Sequence, residues 1–406
     1  MTSRERVLTA LNHREPDRAP IDLGAYRSSG IAAIAYPKLR AALGLPPRPV
    51  YVYDPVQQLA IVDDDVLDRV GADAMELGRG FCREEKWWAD WTLPDGTPCK
   101  MPVWAVPEWS GQEWIYRAPA GHVMARMPEG SVHFDQTWWP FLDGPEELDR
   151  IEELYAQHMW TGIASPPGPS IRGVEELAEG ARRLRAGTER AIVGLFGGNL
   201  LEMGQFYYRM DGFLMLLGAE PERAHRFLDR LLEIHLRNLE RYLTAVGPVI
   251  DVINFGDDLG SQNGPQISPR MYREFFQPRH AAMWRRAKEL APNVKVMLHC
   301  CGGVRPLLPL LIEAGLEIIN PVQISCRGME AEGLKRDFGR DLVFWGGGCD
   351  TQRILPQGTP DEVRAHVREQ VRVMGEGGGF VFQQVHNILS NVPAENIVAM
   401  YEAARS

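Results

Sequence analysis

The chain has 406 residues, with 44 Lys plus Arg against 54 Asp plus Glu, for a formal net charge of −10. That acidic balance argues against a nucleic-acid partner, which selects a basic face, and 45% hydrophobic residues exclude a disordered chain. No apolar run nears the roughly 18 residues of a membrane span. The opening Met1-Thr2-Ser3-Arg4-Glu5-Arg6 lacks a signal-peptide core, so a cytoplasmic protein is expected.

The N-terminus reads as a helix, with Thr2 or Ser3 as cap and Val7, Leu8 and Leu11 on one face. Residues 19–24 read as a first short strand. The stretch 80–140 holds eight tryptophans (Trp87, Trp88, Trp91, Trp104, Trp109, Trp114, Trp138 and Trp139) of the eleven in the chain. Turn signals such as Pro94-Asp95-Gly96 separate its β-forming runs, so an antiparallel insertion is expected there. It serves as a lid or an oligomer contact, with the rings forming a local mini-core or an aromatic substrate wall.

From about residue 170 strands and helices alternate. Helices over 174–186, 211–246, 269–290, 304–314 and 394–405 intersperse strands at 191–196, 249–255, 294–298, 317–321, 342–345 and 380–383. Short apolar strands alternating with helices imply a parallel sheet. Seven or eight such units favour a (β/α)8 TIM barrel, here one domain over 1–406 with 80–140 inserted. No G-x-G-x-x-G fingerprint follows any strand.

In such a barrel the active site lies at the C-terminal strand ends. Those positions hold Asn199 and Glu202, Asp257 and Asp258, His299-Cys300-Cys301, Asn320 and Gln323, Cys349 and Asp350, and Gln383, Gln384, His386 and Asn387. His299 and Cys301 are two apart, so they point to one side and can share an ion, while Cys300 points away. N and S donors suit Zn²⁺, and a catalytic zinc needs about three protein ligands and an open position. His386 or Cys349 can be the third ligand, and Glu202 can complete the shell. Of the adjacent Asp257 and Asp258 one enters the pocket, as support for a ligand, as acid or base, or as a turn cap. The six cysteines, Cys82, Cys99 and Cys326 among them, are too sparse for a disulfide scaffold.

The opening segment 4–20, Phe255-Gly256-Asp257-Asp258-Leu259-Gly260-Ser261-Gln262, Ile267-Ser268-Pro269-Arg270-Met271-Tyr272, His299-Cys300-Cys301-Gly302-Gly303 and the tail 358–363 with 386–397 resemble the uroporphyrinogen decarboxylase superfamily. The resemblance spans nearly the whole chain outside the Trp-rich stretch and implies a (β/α)8 barrel. Its decarboxylases need no metal and carry a Met-Arg-Gln-Ala-Gly-Arg segment after the first strand; here that region reads Gly24-Ala25-Tyr26-Arg27-Ser28-Ser29-Gly30. The other branch implies zinc methyltransferases that exchange methyl groups with a corrinoid protein through a His-x-Cys pair and a distant Cys. His299 and Cys301 match the pair, and His386 stands where the distant Cys is expected.

The resemblance therefore implies a zinc- and cobalamin-dependent methyltransferase that takes a methyl group from a methoxylated or other methylated small molecule, as in O-demethylation, to a corrinoid free or on a partner protein; the Trp-rich stretch leans toward an aromatic donor. A corrinoid partner protein and a homodimer are the expected partners. The expected catalytic residues are Asp257, Asp258 and Glu202; the expected substrate-binding residues are Asn199, Gln262, Gln323, Asp350, Gln384 and Asn387; the expected metal ligands are His299, Cys301, and His386 or Cys349. The alternatives are a metal-free decarboxylase, for which Arg27 and Arg209 would meet acidic substrates, or a non-catalytic corrinoid or porphyrin carrier.

Overall fold

The computed structural model describes residues 1–80, 84–163 and 174–406. Cys82 lies outside them. Seven strands form one parallel sheet in which each neighbours the next in sequence: β1 (Ala74–Glu76), β2 (Ala191–Gly197), β3 (Val252–Gly256), β4 (Lys295–His299), β5 (Ile318–Asn320), β6 (Val343–Trp345) and β7 (Phe380–Val381). An eighth stave closes the ring. Ile21 bridges Phe382 in parallel, its carbonyl accepts from the Asp73 N–H at 2.7 Å, and the Phe382 N–H donates to Pro20 O at 2.8 Å. The expected strand over 19–24 is thus reduced to this bridge.

Alternation along the staves builds the barrel interior. Ala74, Ala191, Val193, Val252, Met297, Ile318, Val343, Trp345 and Val381 form one buried cluster with Val7 and Leu11 of the helix Ser3–Leu11. That helix starts at a capping box between Thr2 and Glu5 and plugs the N-terminal end of the barrel. Between the staves, the sheet and the outer helices share a second and larger apolar core. The opposite end, where the strands finish, is left to polar side chains.

Local chemistry explains where the expected helices differ. The run over 211–246 divides into Met210–Ala219 and Pro221–Val246, because Pro221 sets the residue before it outside the helical region. The run over 269–290 contains a π-helical turn at Tyr272–Phe276, directly before Pro278, which has no N–H to donate back into the helix. The run over 304–314 opens with a 3-10 turn, Arg305–Leu307.

The Trp-rich stretch forms two small sheets. One comprises Glu108–Trp109, Glu113–Arg117, Val123–Pro128 and Asp135–Gln136, all antiparallel. The other pairs Trp88–Thr92 with Pro98–Pro102 and draws in Val50–Asp54 and Leu59–Ala60 from before the stretch, the Val50–Cys99 pairing being parallel. The insertion is therefore larger than 80–140 and not antiparallel throughout. Its rings pack edge to face, with Trp91 and Trp114 centroids 5.4 Å apart and Trp109 and Trp114 5.2 Å apart. Trp91 and Trp114 pack against a mini-core of Tyr116, Met124, Phe134 and Met159. Gln136 Nε2 donates to Phe206 O at 2.8 Å and thereby ties the insertion to the helix after β2. No helix among the described residues is long and apolar enough to cross a membrane.

Asp73 closes the ring between β1 and the eighth stave. It is fully buried, meets Arg6 and Arg18 at 2.7 Å each, and accepts from the Ile21 N–H at 2.9 Å. Asp73→Ala leaves Arg18 without its carboxylate and Arg6 with Asp17 alone, and is expected to cost about 3–5 kcal/mol, read from urea unfolding. Asp17→Ala, which removes the solvent-facing partner of Arg6, should cost less than a third of that.

Candidate metal centre at the barrel mouth

His299 is the last residue of β4 and Cys301 lies two beyond it. Their side chains meet, with Cys301 Sγ 3.4 Å from His299 Nε2. His386, from the loop after β7, completes a group whose three ligand atoms all lie within 4.8 Å of one another. A tetrahedral ion with Zn–S near 2.3 Å and Zn–N near 2.0 Å separates sulfur from nitrogen by about 3.5 Å, so the pair is spaced for one ion. Cys349 is not in this group: it is buried in the apolar core after β6. Cys300 points away and accepts from the Leu259 N–H at 3.3 Å.

The imidazole of His299 is oriented by a carbonyl oxygen. Asn320 Oδ1, at the end of β5, lies 2.9 Å from His299 Nδ1. An amide oxygen can only accept, so Nδ1 carries the proton and Nε2 turns its lone pair to the site. Asn320 is itself held, donating to Trp345 O at 2.6 Å and to Gln383 Oε1 at 2.9 Å. Burial and the neighbouring His299 push His386 down to about 3, which leaves it uncharged and fit to ligate.

The adjacent aspartates divide. Asp257 is fully buried and caps the helix Leu201–Tyr208, accepting from the Leu201 and Glu202 N–H groups at 3.0 Å each, with His280 Nε2 at 3.3 Å. Asp258 faces the metal group: its Oδ1 accepts from the Cys301 N–H at 2.7 Å and lies 3.7 Å from His299 Nε2. Glu202 sits between them, accepting from the Asp258 N–H at 3.0 Å and from Asn199 Nδ2 at 2.6 Å. Burial first, then Asp258 and Asp257, push the Glu202 carboxyl well above its usual range. Burial and Asp258 do the same to the Cys301 thiol. Three carboxyl groups and a thiol thus crowd one site, and a divalent cation is the species that would let the thiol ionise there.

The remaining expected substrate contacts are mostly spent inside the protein. Gln323 accepts from the Gly302 N–H at 2.8 Å, and exposed Gln262 donates to Ser325 O at 2.7 Å. Asp350 caps the turn after β6, accepting from the Gln352 and Arg353 N–H groups. Gln384 donates to Ser29 O at 3.4 Å, and Asn387 accepts from the Gly30 N–H at 2.8 Å. These residues shape loops at the mouth. Sequence reasoning missed Ser28 and His280 and gave no role to Asn320. The strand-end rule places Asn320 at the mouth without its role, and no local pattern marks the other two.

His235 holds the base of this site, its Nε2 at 3.0 Å from Asn199 O, and burial pushes it down to about 4. Buried His158 is pushed down to about 3 for the same reason. Each is neutral in the folded chain and takes a proton on unfolding below its ordinary value near 6.5. Their stabilisation is therefore complete above about pH 6.5 and is lost as the pH falls toward 4 and 3. Urea midpoints should drop between pH 7 and pH 4.5, and His235→Leu should flatten that slope by roughly 1.4 kcal/mol per pH unit.

Residues 158–406, more than half of the chain and including all three metal-group residues, match the family model described as uroporphyrinogen decarboxylase (URO-D). Uroporphyrinogen decarboxylases from Crocosphaera subtropica and Prochlorococcus marinus are similar. The first is 22% identical over 317 residues, 73% of this chain and 81% of its own. The second is 26% identical over 292 residues, 70% of this chain and 76% of its own. The fold is similar to that of a methyltransferase from Methanosarcina mazei, with a TM-score of 0.59 and 19% identity over 100% of this chain and 98% of that one. With the barrel and the strand-end motifs in place, the matched family model assigns this chain to the uroporphyrinogen decarboxylase family.

Proposed function

We propose that this chain is a zinc-dependent methyltransferase that moves a methyl group from a methoxylated aromatic, or another methylated small molecule, to a corrinoid carried by a partner protein. The observation that carries the reading is the convergence of one thiol and two imidazoles at the barrel mouth. Nitrogen and sulfur donors suit zinc among the common metals, and three protein ligands leave one tetrahedral position open. When bound there, zinc supplies Lewis-acid chemistry at the methyl-bearing heteroatom.

The chain's own residues do the rest. Asn320 holds His299 in the tautomer that ligates. Asp258 pins the backbone of Cys301 and thereby the direction of its sulfur. Glu202, kept protonated by burial and two carboxylate neighbours, is the acid able to meet negative charge on a departing oxygen. The ligand set has one thiolate where a second is expected, so it places less negative charge on the ion and leaves it the stronger Lewis acid. The insertion is tied through Gln136 to the helix that carries Glu202.

The relatives' name favours a second reading, metal-free decarboxylation of an acidic substrate. That reaction calls for basic groups at the mouth. Arg27, beside Ser28, has its Nε 3.9 Å from buried Asp54 and is the basic group that reading could use, whereas Arg209 is paired with Asp211 at 2.6 Å on the surface.

Protein purified without chelator should carry about one zinc per chain. Cys301→Ala and His386→Ala should lose it, whereas Cys349→Ala should keep it. A folded, metal-free wild type would sink the methyltransferase reading in favour of the second. Asp258→Asn should keep its fold and metal and lower kcat by about 10-fold to 100-fold, measured as methyl transfer to cob(I)alamin.

A further inference from the structure

Ser28 Oγ lies 3.3 Å from His299 Nε2, the nitrogen that faces Cys301. The contact is built rather than casual. Gln383 Nε2 donates to Ser28 O at 3.0 Å, Gln384 Nε2 to Ser29 O at 3.4 Å, and the Gly30 N–H donates to Asn387 Oδ1 at 2.8 Å. From below, Asp22 Oδ1 accepts from the Ala25 N–H at 2.9 Å and from Ser29 Oγ at 3.2 Å. The loop after the eighth stave is thus latched across the mouth by three side chains of the β7 loop. Ser28 itself is only 7% exposed.

The tautomer decides which way the bond runs. Nδ1–H is committed to Asn320, so Nε2 offers a lone pair and the Ser28 hydroxyl donates to it. That lone pair serves one partner. Were His299 Nε2 to hold a metal, that lone pair would be taken and the Ser28 hydroxyl, on a backbone latched by Gln383 and Gln384, would turn to another acceptor.

We propose that Ser28 is a catalytic residue of this centre: with a metal on His299 Nε2, its hydroxyl turns to the open coordination position and donates a hydrogen bond to the heteroatom that loses its methyl group. This rests on the metal-centre reading above. A fixed donor at that point stabilises charge as it grows on the heteroatom, more than it stabilises the neutral methyl ether or thioether. The hydroxyl keeps its own proton throughout, so a separate acid such as Glu202 is still required when the product leaves protonated.

Co²⁺ is the probe, because its thiolate charge-transfer absorption counts sulfur ligands. Wild type should bind one Co²⁺ per chain, with a single-thiolate band that Cys301→Ala abolishes. In Ser28→Cys a thiolate replaces the hydroxyl beside the open position, and the band should gain about twofold in intensity. Ser28→Ala should hold Co²⁺ as tightly as wild type while kcat falls about tenfold at unchanged KM, and Ser28→Thr should recover most of that loss. An unchanged band in folded Ser28→Cys, beside a wild type that binds Co²⁺, overturns the role of Ser28 and leaves the centre standing. If Ser28→Cys does not fold, Ser28→Ala decides: unchanged kcat, or Co²⁺ affinity lowered tenfold, overturns the proposal. A wild type that binds no Co²⁺ removes the metal centre and the role of Ser28 together.

Discussion

The loops after β3 and β4 meet backbone to backbone at Gly260 and Gly302, and the geometry of the mouth depends on that contact. A side chain on Gly260 would stand 2.4 Å from Cys301 O, and one on Gly302 would stand 2.4 Å from Gly260 C. Gly302 also has φ of +92°, a conformation open to glycine and strained for other residues. The Gly303 N–H donates to Ser261 O at 2.8 Å, and the Cys300 N–H to Asn320 O at 2.5 Å. Strands β3, β4 and β5 are therefore stitched at their ends, and the turn that carries Cys301 has one direction available.

Charge is the second constraint. Asp257, Asp258, Glu202 and Cys301 are drawn together by hydrogen bonds from backbone N–H groups, not by arginine or lysine. Backbone donors offset the cost of burying carboxylates without cancelling their mutual repulsion. Burial first, and then that repulsion, pushes the Glu202 carboxyl and the Cys301 thiol above their usual ranges. The same arrangement prepares the site for a cation, and it leaves at least one carboxyl group neutral and able to donate.

The insertion and the barrel cooperate at the rim. Asn387 links the Gly30 N–H to Gln57 Oε1, so one amide joins the latched loop to the small sheets. The tryptophans are mostly engaged with one another and with their mini-core, which accounts for their number without assigning every ring to a ligand.

The alternation of short apolar runs with amphipathic ones determined a parallel barrel, because strand and helix bury different periodicities and a crossover helix imposes parallel strands. The same reading placed His299 and Cys301 on one side, since side-chain direction along a strand has a period of two. Spacing could not choose between His386 and Cys349. Both follow neighbouring strands, and which of them reaches His299 depends on how far each loop turns before the side chain emerges. Nor could it show that Gln384 and Asn387 are spent on the loop at 28–30, that Asp257 faces a helix end while Asp258 faces a thiol, or that Ser28 lies beside residue 299. The aspartate contacts need neighbouring strands in register, and those of residues 28–30 join staves from opposite ends of the chain, brought together where the ring closes between Ile21 and Phe382.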